Sequence, residues 1–343
     1  MLKGLTSRRE AVLKIIVSEY VDTAVPVASE TIFRSYRLGV SPATIRNDMA
    51  YLEAEGYIAR PHTSAGSVPL DKGYRHYVES LTRKTELDKQ EQYRIRKLFR
   101  EVEKEFEKWL KLAAAIAASL SKNAALVTVP KPRQSRFRHL ELVALQESMA
   151  LMVLVLSEAI LKRQLLTFEQ TITQEQLAIM ANKLNAVLSG LTGTEISSRK
   201  AGLSPEEVKV AEAVIDMMSA EDELEYEQPY LEGLRLMLGQ PEFAEKDRML
   251  SIMELMETGD WLSSAFGRRS NDFGVQVIIG EENRNETLRD LSLVFSRYGI
   301  PDRLGGTIGI IGPTRMNYRR AISAVDYISN ILSDLVASVS HDD

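Results

Sequence analysis

The stretch VSPATIRNDMAYLEAEGYIARPHTSAGSVP, residues 40–69, leaves few folds open. Its first half is punctuated as a helix. Ser41 is a natural N-cap, Pro42 suits the first helical position, where the N–H it lacks would have no intrahelical partner, and Gly56 suits a left-handed stop. Ile45, Met49 and Leu52 recur at helical steps, share one face, and are predicted to be buried. The opposite face carries Ala43, Asn47, Ala50 and Ala54, with Thr44 and Tyr51 on one flank and Arg46 on the other. Small side chains in the middle and hydrogen-bonding ones near the N-terminus are what a helix needs if its first turns are to lie in a DNA major groove. After Gly56 the pattern predicts a short strand, a polar tip containing His62, Thr63 and Ser64, and a return through Val68, which is the form of a wing.

The flanking sequence supplies partners for that helix. Ser7 followed by Glu10 fits a capping box for a first helix bearing Val12, Ile15, Ile16 and Tyr20, and Ser29 is placed to cap a second bearing Ile32, Phe33 and Tyr36. Downstream, Val102, Phe106, Trp109, Ala113, Ile116 and Leu120 alternate at steps of four and three, which predicts one long helix within 85–123. Strand patterns follow in AALVTV, HLELVAL, MALMVLVL and ILKRQLLTF, with QES as the tight turn between the second and third. They return in VQVIIG and GGTIGIIG, each expected to lead into a helix. Residues 173–265 read as helical and acidic, with Met249, Met253 and Met256 on one run. The final helix should bury Tyr318, Ile322, Val325 and Ile328.

Charge is unevenly spread. Residues 1–80 hold 10 Lys+Arg against 9 Asp+Glu, whereas residues 201–260 hold 4 against 16, so only the N-terminal block is suited to approach a polyanion. With 44% hydrophobic and 27% charged residues over 343 positions, two or three folded domains are expected. The apolar runs are too short to span a bilayer, MLKGLTSRRE has no secretory character, and there is no cysteine, so a reduced cytoplasmic protein is expected. The histidines at 62, 76, 139 and 341 build no metal-ligand spacing. GPTRMNY lacks the lysine–hydroxyl pair of a phosphate loop. Gly312 and Pro313 read instead as a strand-to-helix turn, Thr314 as its cap and Tyr318 as core. No catalytic constellation emerges, and neither enzyme activity nor a cofactor is expected.

The segments SPATIRNDMAYLE, PHTSAG and GYRHYV near the N-terminus and GTIGIIGPTRMNY at 306–318, with YLEGLRLMLGQPEF and IGEENRNETLRDLSLVFSRYG between them, resemble the HrcA family of heat-inducible transcription repressors. Residues 131–225 match mainly in pattern. The resemblance implies an α+β multidomain chain with a winged helix-turn-helix, a connecting helix, and a GAF-like αβ domain split by a helical dimerising insert. The expected bounds are 1–84 for the winged-helix DNA-binding domain and 85–123 for the connecting helix. The GAF-like domain would take 124–170 and 266–338, and the acidic insert 171–265. It further implies a homodimer on double-stranded DNA carrying an inverted-repeat operator, the CIRCE element, with the GroE chaperonin as modulator and no membrane partner.

On spacing alone, a solvated helix face explains Thr44, Arg46 and Asn47 as well as DNA contact does; the resemblance tips the balance. Arg46 is then expected to read guanine, Asn47 adenine, and Thr44 to touch phosphate, with Ser41 and Tyr51 beside them. The chain departs from the family pattern at Ser67, where the family has a wing arginine, and at Pro26-Val27-Ala28-Ser29, where the family reads PVGS. Arg60, His62, Lys72 and Arg75, with Thr63 and Ser64 at the tip, are the residues left to meet the backbone. The competing reading is a DNA-bound sensor whose αβ domain takes a small molecule, for which a pocket lined by Arg315 would speak.

Overall fold

The computed structural model describes residues 5–62, 65–81, 86–102, 105–132, 134–157, 160–199, 201–223, 229–258, 261–262, 274–301 and 303–339. The chain forms two compact units. One comprises Met1–Val129, Gln228–Gly299 and Gly306–Asp343, the other Pro130–Glu227 and Ile300–Gly305.

The first unit begins with helices α1 (Ser7–Thr23), α2 (Ser29–Ser35) and α3 (Pro42–Ala54), a two-strand wing β1 (Ile58–Ala59) and β2 (Val68–Pro69), and helix α4 (Asp71–Ser80). Their common core is Val12, Leu13, Ile16, Val17, Ile32, Ile45, Met49, Leu52, Ile58 and Tyr74. Two caps differ from expectation by one residue: Thr6, not Ser7, accepts the Arg9 N–H at 3.5 Å, and α2 starts after Ala28 with no side-chain cap. Ser41 does cap α3, and Gly56 takes a left-handed φ of +73°.

Residues 85–123 are not one helix. The structure has α5 (Lys89–Glu101) and α6 (Phe106–Ser121), because Val102 (φ −79°, ψ 134°) and Glu105 (φ −106°, ψ 121°) are extended. The heptad spacing is real on α6, where Trp109, Ala113 and Ile116 are buried, but the chain turns before it.

The sheet of the first unit runs β8-β3-β11-β10-β9, with β3 (Ala124–Val127), β8 (Tyr230–Glu232), β9 (Gln276–Ile279), β10 (Leu291–Ile300) and β11 (Leu304–Pro313), and the two-residue β4 (Lys131–Pro132) pairs with the start of β11. β3 pairs antiparallel with β8 and β11, and β9 with β10. Helices α6 and α12 (Tyr318–Val339) pack together beside it, giving the GAF-like αβ body. VQVIIG does not lead into a helix: two short 3-10 turns follow, and LSLVFSRYGI is strand β10. Nearly every β10 residue is buried, so it lacks the alternation that marks a half-buried strand. Thr314 is not the cap of the last helix. Asn317 is, its Oδ1 accepting from Arg320 N–H at 3.0 Å, while Tyr318 is fully buried as expected.

The second unit corrects the expected bounds of the insert. The strands β5 (Phe137–Gln146), β6 (Met149–Leu156) and β7 (Leu161–Thr167) form a separate antiparallel sheet and do not join the GAF-like one. Their inward residues Leu140, Leu142, Met152 and Leu154 share a core with Leu177 and Leu184 of α7 (Gln174–Leu188) and Val210, Val214 and Met218 of α9 (Pro205–Glu223). The short helix Gly193–Ser198 lies between those two. Conversely, Leu234–Leu238 and Lys246–Thr258, expected in the insert, belong to the first unit. Strand patterning shows which face is buried, not which sheet a strand joins.

Candidate nucleic-acid interface

Helix α3 is held by its buried face and by one charged anchor. Asp48, which sequence reasoning did not single out, is 2% exposed, and accepts from Arg8 Nε at 2.6 Å and Arg9 Nε at 3.3 Å, tying α3 to the start of α1. The Arg8 hydrogen bond is the leading cause that holds the Asp48 carboxyl below its ordinary value. Its folded pKa is depressed, so its contribution to stability is present above the unfolded carboxylate value near ~3.9 and is lost as pH falls through the folded value. Asp48→Asn is therefore expected to lower the melting temperature by several degrees at neutral pH and to flatten the loss of stability on acidification. Thermal melts of both proteins across the acid range check this, and parallel pH profiles would contradict it.

With α3 so fixed, Ala43, Arg46, Asn47, Ala50 and Ala54 are exposed on the face opposite Ile45, Met49 and Leu52. Arg46 has one long contact, Nε to Ser29 Oγ at 3.4 Å, and Asn47 faces solvent beside it. Ser41 Oγ lies 3.0 Å from Thr44 Oγ1 and accepts the Thr44 N–H at 3.2 Å, so both hydroxyls sit at the helix N-terminus, where the aligned backbone dipoles favour a phosphate. Tyr51 is differently employed: the Arg9 guanidinium lies 3.5 Å from its ring centroid, on the flank toward α1.

Around the wing the expected contacts divide. His62 is exposed, its carbonyl accepting the Ala65 N–H at 3.0 Å, while Thr63 and Ser64 lie outside the described residues. Arg60 pairs with Glu53 at 3.3 Å, and Lys72 donates to the Glu55 carbonyl at 2.6 Å, so both serve the C-terminal end of α3 here. Arg75 is turned away from any exposed basic patch: it pairs with Glu282 and donates to the Val277 carbonyl at 2.8 Å, both on the αβ body. Ser67 is fully buried, and its N–H and C=O exchange hydrogen bonds with Val27 at 2.9 Å, which puts position 67 at the base of the wing. Gly66 is needed there, since a Cβ would lie 2.5 Å from the Pro26 carbonyl oxygen.

The winged helix is also docked on the αβ body. Asp71 Oδ2 accepts the Glu281 N–H at 2.8 Å, the Tyr74 and Tyr318 rings stand 5.8 Å apart, and Arg315 pairs with Glu242 while donating to the Val21 carbonyl at 3.0 Å. Arg315 thus holds the end of α1. Among the described residues no group of His, Asp and Glu could hold a metal ion, and no helix is long and apolar enough to cross a membrane.

A capped, exposed helix beside a wing, carried on an αβ body, is the architecture of a DNA-binding transcription regulator. Residues 35–69 match the DeoR-like helix-turn-helix domain, and residues 107–322 match the HrcA protein C terminal domain. A heat-inducible transcription repressor HrcA of Dehalococcoides mccartyi is 47% identical over 98% of this chain and 97% of its own length. One from Chloroflexus aggregans is 42% identical over 98% and 94%. A crystal structure described as that of a hypothetical protein, 24% identical over 98% of this chain and 99% of its own, superposes with a TM-score of 0.62 and supports the fold. The chain belongs to the HrcA family of heat-inducible transcription repressors.

Proposed function

We propose that this chain represses transcription as a two-fold dimer on an inverted-repeat operator of the CIRCE type, with the N-terminal half of α3 in the major groove and the wing against the backbone. The observation that carries this reading is the pairing of exposed Arg46 and Asn47 with a helix whose other face is locked by Ile45, Met49, Leu52 and the Asp48 anchor. Arg46 suits guanine, Asn47 suits adenine, and the Ser41–Thr44 cap suits a phosphate. Ser41, Thr44, Arg46, Asn47 and His62 could take such contacts without giving up an ion pair. Arg60, Lys72 and Arg75 would have to exchange an internal partner for phosphate.

The dimer is supported by the outer face of the β5-β6-β7 sheet. Val143, Leu145, Leu161 and Leu165 are each more than 40% exposed there, and the register sets Leu151 between Val143 and Leu165. An apolar sheet face of this kind calls for a partner, and a second copy gives two recognition helices related as the operator halves are. Family membership supports the GroE chaperonin as the modulator that keeps the dimer competent. Gel-shift titration against an inverted repeat, with and without chaperonin, tests the whole: the expected result is one dimer per operator, with occupancy rising with free chaperonin. Binding as one chain per site, or occupancy indifferent to chaperonin, would contradict the corresponding part.

A further inference from the structure

An open cavity of about 540 Å³ lies where α5, α6 and α12 converge on the helical side of the αβ body, and nothing in the DNA-binding reading uses it. That volume is within the range of small-molecule sites, which are mainly apolar with a few polar groups fixing orientation. Its walls follow this pattern. Phe99 and Trp109, 6% and 5% exposed, form the inner part with Ile331 and Leu335. The Trp109 indole N–H is buried there without an acceptor. At the solvent side stand Arg96 and Arg100, one turn apart on α5, with Asp334 opposite on α12. Neither arginine has an ion-pair partner among the described residues. Arg96 only overlies the Tyr327 ring, at 5.7 Å from its centroid.

We infer that this cavity binds an amphipathic monoanion, a carboxylate on a hydrocarbon tail. The tail lies against Phe99, Trp109, Ile331 and Leu335, and the carboxylate is held between Arg96 and Arg100, whose forked donors match its two oxygens. Asp334 reduces the local charge to one net positive, which suits a monoanion better than a phosphate dianion. The site has a route to the rest of the unit. α5 is fastened to α12 at its N-terminal end by Glu91 with Arg320 and by the Tyr327 hydroxyl donating to the Gln92 carbonyl at 3.0 Å, so a ligand under its C-terminal half braces the other end.

Calorimetric titration of the full chain with dodecanoate, kept below its micellar concentration, tests this without reference to DNA. The expected result is saturable binding at one site per chain, with dodecanol binding at least about tenfold more weakly to the same protein. Dodecanoate should likewise bind about tenfold more weakly to the Arg96→Gln/Arg100→Gln variant, whose altered side chains are exposed and leave the fold intact. The tryptophan emission of the wild type should shift on saturation, and that shift should be lost in Trp109→Phe. No saturable binding, as when a second copy of the chain covers the cavity, overturns the assignment. Binding indifferent to the headgroup charge or to the two arginines overturns it equally, as does an emission shift that survives in Trp109→Phe.

Discussion

The double variant Arg46→Ala/Asn47→Ala is expected to hold nonspecific DNA almost as the wild type does, while losing about a hundredfold or more of its preference for the operator. Each bidentate base contact carries about 1–3 kcal/mol of discrimination, and these are the side chains of α3 that are both exposed and equipped for such contacts. Truncating them should not disturb the frame, because Arg46 has only its 3.4 Å contact to Ser29, and the burial of Ile45, Met49 and Leu52 with the Asp48 anchor is untouched. The salt dependence of binding should change by less than the roughly one unit of slope that a lost phosphate contact would give, because the two side chains are assigned to base edges. Competition between an operator duplex and a scrambled one, repeated across a salt series, reads both quantities. A variant that keeps full operator preference would mean that α3 is not the reading helix, and one that loses operator and scrambled DNA alike would make it a phosphate-binding helix.

Helix α3 was legible in the sequence because every local signal there agrees: cap, proline, apolar period and terminal glycine all indicate the same thirteen residues. Asp48 was not, since an aspartate in the middle of a helix gives no sign that two arginines about forty residues earlier will close on it. The break at Val102 was hidden for the opposite reason: the apolar spacing of α6 continues back through Phe106 and Val102 as if the helix did. Strand β10 is buried on both faces and so has no alternation to read. Arg75 shows the limit for the site itself. As a basic residue beyond a wing it suits phosphate, and only the fold shows Glu282 taking it up.

The fold also accounts for why the most distinctive C-terminal motif lies far from α3 in sequence. GPTRMNY and LGQPEF meet at the end of α1, where Arg315 joins Glu242 to the Val21 carbonyl, and Gly280 of the IGEEN segment, at φ +52°, approaches Asp71 so closely that a Cβ would fall 2.0 Å from its carboxylate oxygen. Three of the recognisable segments therefore act as one clamp on the winged helix. Burial in that clamp pushes the Asp71 carboxyl above its usual value, and the Glu281 N–H opposes the shift. Any change in the αβ body that moves Arg315 or Glu282 acts directly on α1 and α4. That is the physical path by which the αβ body would set the attitude of α3.

The second large effect is expected from Leu165→Asp. Leu165 is 57% exposed, lies on an edge strand of its three-stranded sheet, and points to the face opposite the Leu154, Leu177 and Val214 core, so the second unit should fold with the substitution in place. In the proposed dimer the same carboxylate would be buried at an apolar seam, once from each copy, and although Arg163 lies two residues along on the same face, taking two new charges out of water there is costly enough to dissociate the chains. Half-sites of an inverted repeat are read together only when two recognition helices are held near a whole number of turns apart, each about 10.5 bp. Without that linkage the operator is left with one helix at a time, and affinity should fall by about 10²-fold or more. Sedimentation at micromolar protein and operator titration on the same sample decide the matter. If Leu165→Asp stays dimeric with unchanged operator affinity, the sheet face is not the seam, and dimerisation must be sought on the αβ body. If it becomes monomeric yet binds as before, the two-helix reading of the operator fails.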